Sequence, residues 1–139
     1  MKSMTFNKHL NKQCDMQFMS DLHLERIAYE FDIPKSAPYL ALAGDIGRPE
    51  DFDAYAAFLR KQCDKFDRVL LVAGNHEFYG SSHEEGLSIA KKLVEDPSLA
   101  GKLTSMNRTR VDMDESNVVV LGCTLHLYRT RLHETYKRL

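Results

Sequence analysis

The stretch "RVLLVAGNHEFYG", Arg68 to Gly80, decides the fold. Its apolar run, Val69 to Ala73, is strong enough to be a buried strand. The run stops at Gly74, and Asn75, His76 and Glu77 follow at once. Two upstream segments end in the same way. "FMSDLHLE", Phe18 to Glu25, closes an apolar run with Asp21 and His23, and "ALAGDIG", Ala41 to Gly47, closes one with Asp45. A lone Asp or Asn past a strand is an ordinary turn former. Three such endings in succession, two of them with a glycine that lets the backbone turn sharply, call for a shared reason. In a parallel sheet the three ends share the carboxyl edge, where open α/β folds bind their ligands.

The rest of the chain is consistent with such a sheet. "MQFMS", Met16 to Ser20, and "YLALAG", Tyr39 to Gly44, are predicted strands, and "RIAYEFDIPKSAP" between them, with Pro34 and Pro38, is predicted loop. Phe52, Tyr55, Ala56, Leu59, Cys63 and Phe66 recur at steps of three and four, the pattern of one helix face. A second helix opens at Ser82 as N-cap, carries Glu84 and Glu85 in its first turn and is stopped by Pro97. "RTRVDM" and "NVVVLGC" flank Asp114, Glu115 and Ser116 and read as a hairpin. Strand, helix, strand, helix predicts a parallel sheet at the front with the hairpin behind it.

Composition narrows the function classes. The 139 residues, 43% hydrophobic and 28% charged, suit one ordinary domain. No internal repeat or domain-dividing linker is visible. Nineteen Lys and Arg against twenty Asp and Glu leave a formal net charge of -1, which argues against general nucleic-acid binding. Cys14, Cys63 and Cys123 are odd in number, far apart and without CxxC spacing, so they read as reduced buried thiols. No apolar run is long enough for a membrane span, and the N-terminal residues contain no apolar core of a signal peptide. A cytoplasmic protein is the expectation.

The polar groups at the strand ends point to metal chemistry. Two aspartates, an asparagine and at least one histidine, with no thiolate, form a mixed oxygen and nitrogen donor set that suits Mn2+, Fe or Zn2+. Two metals about 3.5 to 4 Å apart can share one carboxylate and hold both an attacking oxygen and a phosphoryl oxygen. Asp45, alone at the middle strand end, is the natural bridge. The chain contains no GxSxG elbow, GxxxxGK[ST] loop or HExxH helix, which leaves metal-assisted hydrolysis as the reaction class.

"SDLHLE", "GDIG" and "GNHE", in this order and spacing, resemble the first three motifs of the calcineurin-like metallophosphoesterases, and "VVVLGCTL", Val118 to Leu125, resembles a strand segment common in one branch of them. The resemblance spans about Met16 to Leu125. It implies an α/β fold, a metallophosphoesterase-type β-sandwich flanked by helices, and hydrolysis of a phosphorylated substrate by hydroxide on two divalent metals. It also implies that Asp21 and His23 bind one metal, that Asp45 bridges, that Asn75 binds the other metal, and that His76 is catalytic, giving a hydrogen bond or proton to the leaving oxygen. Glu77 is expected to be structural.

Two further motifs of the family, a later histidine and a Gly-His-x-His sequence, find no match among His9, His23, His76, His83, His126 and His133. The expectation is one domain over residues 1–139, its N-terminal half present and its second half largely missing, with a divergent basic tail over residues 126–139. Such a chain is expected to bind metal weakly and to turn over little phosphoester by itself. The competing reading is a non-catalytic metal-binding or interaction domain that kept the front motifs. His126 and His133 lie seven residues apart in a tail that also carries Arg129, Arg131, Lys137 and Arg138, and cations there oppose metal binding.

Overall fold

The computed structural model describes residues 14–99, 101–114 and 116–124. His9, His126, His133 and the basic tail lie outside the described residues, as does the side chain of His83. The described chain runs β1 (Met16–Met19), β2 (Tyr39–Ala43), α1 (Phe52–Lys65), β3 (Arg68–Val72), α2 (His83–Glu95), β4 (Leu103–Ser105), β5 (Thr109–Asp112) and β6 (Val119–Gly122). Short 3-10 turns at Leu24–Arg26, Pro49–Asp51, His76–Phe78 and Pro97–Leu99 join them.

Strands β1 to β4 form one parallel sheet in that spatial order, and β5 pairs antiparallel with β6. Alternation along β2 and β3 divides the core between the two faces of the sheet. Leu40, Leu42, Val69 and Leu71 point to one side, where Tyr55, Leu59 and Cys63 of α1, Phe66 just past its end and Leu93 of α2 cover them. Ala41 and Leu70 point to the other and meet Val111 and Met113 of the hairpin strand and its exit. Burial on both faces is why these strands read as nearly continuous apolar runs. Helices, parallel sheet and hairpin form three layers, the α/β arrangement expected from the sequence.

Strand β4 was not legible in the sequence. Leu103, Thr104 and Ser105 show no periodicity, and only pairing with Val69, Leu70 and Leu71 makes them a strand. Register matters more for the site. Met19 pairs with Leu42 and Ala43 with Val72, so β1, β2 and β3 end nearly level and release their loops side by side.

Candidate metal centre

Each predicted site residue lies in the turn just past its strand. Asp21, His23 and Asp45 adopt left-handed backbone conformations, with φ of 56°, 47° and 55°. That region is sparsely populated by residues other than glycine, but Asp, Asn and His enter it more readily than most. The strain persists because the loops hold one another. The Asp21, His23 and Leu24 N–H groups donate to the carbonyls of Gly44 (3.0 Å), Asp45 (3.0 Å) and Ile46 (2.8 Å), so the loop after β1 lies along the loop after β2.

Glu77 fastens the second loop to the third. Its buried carboxylate accepts from the amides of Ile46 at 2.7 Å, Gly74 at 2.7 Å, Asp45 at 3.0 Å and Gly47 at 3.4 Å. Burial raises the Glu77 carboxyl above its ordinary value, and the amides of Ile46, Gly74 and Asp45 pull against that shift. Asp45 adds a second tie, its Oδ1 accepting from the His76 N–H at 2.9 Å. Gly74 is required by close approach. A Cβ there would overlap Asp45 Oδ1 and lie 2.6 Å from the Asp45 nitrogen.

These ties bring side chains from all three loops together. One donor atom each from His23, Asp45 and His76 lies within 4.8 Å of the others. The rings of His23 and His76 meet edge to face, with centroids 4.3 Å apart. His76 therefore stands within the donor group, beside His23 and Asp45. Asp21 is exposed, its carboxylate outside the three-residue group, and Asn75 is also exposed, its Nδ2 donating to the Tyr79 hydroxyl at 2.7 Å.

Two neighbours of the centre carried no signal that local reading could use. Glu25, in the 3-10 turn after His23, places Oε1 3.7 Å from Nδ1 of both His23 and His76. Tyr79 lays its ring against His76 at 4.5 Å between centroids. Glu25 closes the first motif and Tyr79 lies two residues past the third, but only the turns after β1 and β3 bring them back over the histidines.

The residues present fit a divalent cation. The donors are oxygen and imidazole nitrogen, they converge from three separate loops, and His23 Nδ1 is buried without a hydrogen-bond partner among the described residues, a condition that costs free energy unless a cation or proton donor meets it. The model of the family described as calcineurin-like phosphoesterase matches residues 18–121. The chain belongs to the calcineurin-like phosphoesterase family. Among curated relatives of this phosphoesterase domain, an uncharacterized protein of Acanthamoeba polyphaga mimivirus is 37% identical over 76 residues, covering 46% of this chain and 27% of the relative. Among solved structures, a phosphopantetheinyl hydrolase from Mycobacterium tuberculosis superposes with a TM-score of 0.52 at 17% identity, covering 77% of this chain and 41% of that one. That likeness establishes a shared fold. The chain thus spans less than half the length of either protein. No helix among the described residues is long and apolar enough to cross a membrane.

Proposed function

We propose that this chain carries a metal-dependent centre for hydrolysing phosphate esters, with Asp21 and His23 serving one divalent cation, Asn75 another, and Asp45 shared between them. The observation that carries the proposal is the convergence of His23, Asp45 and His76 donor atoms within 4.8 Å at the carboxyl edge of the parallel sheet. Bound divalent cations supply Lewis acidity, which activates water and neutralises charge on a phosphoryl group. The protein's own work is positional. Asp45 is held by Gly74 beneath it and by the His76 amide, so its carboxylate cannot swing out of the edge. His76 would offer an imidazole N–H to the departing oxygen, and Glu25 Oε1, 3.7 Å from its Nδ1, helps to orient the ring.

Four side chains shared by two cations make a thin coordination set, so the expected metal affinity is weak and the turnover of this chain alone is low. The test is calorimetric Mn2+ titration of wild type, Asp45→Asn and Asp67→Asn, followed by turnover of chromogenic phosphate mono- and diesters. Asp67 is exposed at the opposite end of β3 and controls for net charge. Asp45→Asn is expected to lower affinity by at least about tenfold and Asp67→Asn to leave it unchanged. Equal isotherms for all three proteins would refute the proposal. His126→Ala/His133→Ala is expected to leave both readouts as they were.

A further inference from the structure

We propose that Tyr79 is a positioning residue of this centre, selecting which face of the Asn75 carboxamide meets the cation. The inference rests on the metal-centre reading above and extends it to a residue with no ligand role. A carboxamide has an oxygen, which a divalent cation accepts, and an NH2 group, which it repels. Asn75 is exposed, so packing does not choose between the two orientations. A hydrogen bond does. Asn75 Nδ2 donates to the Tyr79 hydroxyl at 2.7 Å, which turns the NH2 group to the phenol and leaves Oδ1 free.

The phenol is itself held in place. Phe78 N–H donates to the Asn75 carbonyl and Tyr79 N–H to the His76 carbonyl, each at 3.2 Å, closing the 3-10 turn that brings Tyr79 back over the residues preceding it. Its ring lies against the His76 imidazole at 4.5 Å and 47°. Tyr79 is nevertheless 54% exposed, and so belongs to the rim of the centre and not to the core. One side chain thus touches both Asn75 and His76, through its hydroxyl to the former and through its ring to the latter.

The test is a double-mutant cycle read by Mn2+ affinity of the full 139-residue chain. Tyr79→Phe keeps the ring and removes the hydroxyl, and is expected to weaken Mn2+ binding by roughly three- to tenfold with no change in melting temperature. In an Asn75→Asp background both side-chain oxygens are equivalent, so no partner is needed to choose between them. There Tyr79→Phe is expected to change nothing. Equal losses in the two backgrounds would assign Tyr79 a general structural role and overturn the proposal, as would an unchanged affinity in Tyr79→Phe alone. Asp45→Asn separates the two levels of argument. If Asp45→Asn weakens Mn2+ binding while Tyr79→Phe does not, the positioning role fails and the metal centre stands; if neither weakens it, the centre itself fails.

Discussion

Glu77 shows how one side chain at the residue scale keeps a site in shape without belonging to it. Four backbone amides from two loops converge on its carboxylate, which is 4% exposed. Acceptor-only chemistry is required there, because every partner is an N–H donor. Glu77→Gln is nearly isosteric but turns an NH2 group toward at least one of those donors, leaving it buried and unpaired. The expected loss is about 1 to 3 kcal/mol of folding stability, read from the midpoint of urea denaturation. An unchanged midpoint would mean that the two loops are held mainly by other contacts, such as the Asp45 bond to the His76 amide. The same reasoning makes Glu77 a poor charge control for metal titrations, since losing it disturbs the loop that presents Asp45.

Among the elements, α2 is the one whose start was written most plainly. Ser82 Oγ accepts from the Glu85 amide at 3.2 Å, and the Glu85 carboxylate accepts from the Ser82 amide at 2.7 Å, a reciprocal capping box. Ser82→Ala is expected to cost about 1 kcal/mol, measured by thermal melting near neutral pH. Glu85 adds a pH dependence. Its bonds to the Ser82 backbone and hydroxyl lower its carboxyl below the ordinary value. A depressed carboxyl contributes stability above the unfolded-state value and loses that contribution as pH falls through the folded-state value. The gap in melting temperature between wild type and Glu85→Gln should therefore be largest near neutrality and close in strong acid. A gap independent of pH would place the effect in helix propensity instead. At the other end of the first helix, Lys102 Nζ donates to the Cys63 carbonyl at 2.9 Å and the Phe66 carbonyl at 3.4 Å, setting a cation where the last carbonyls of α1 point.

For the whole molecule, the three layers cover β2 and β3 on both faces but leave apolar groups in the open. Phe18 on the edge strand β1 is 67% exposed and Leu121 on β6 is 76% exposed, with Val118 and Val119 partly exposed beside the latter. An edge strand with an exposed aromatic side chain and a hairpin with an apolar outer row favour association. The chain is expected to self-associate at micromolar concentration and above, and Phe18→Lys/Leu121→Lys to shift it toward monomer, measured by light scattering across a dilution series. A wild type that is monomeric throughout would show that these side chains are too scattered to drive association. Much of this molecule was determined by local sequence. Apolar runs of strand length ending in Asp21, Asp45 and Asn75 require only composition and order to be recognised, and so does the Ser82 cap, because neighbouring residues decide them. Tertiary structure decided the rest. Leu103 to Ser105 become a strand only beside β3, Glu25 reaches His23 and His76 only through a left-handed turn, and Glu77 meets Ile46 from 31 residues away. The physical reason is that hydrogen bonds and close approaches between distant segments leave no periodic trace in either segment, so the loops' mutual hold on Asp45 exists only once the chain has folded.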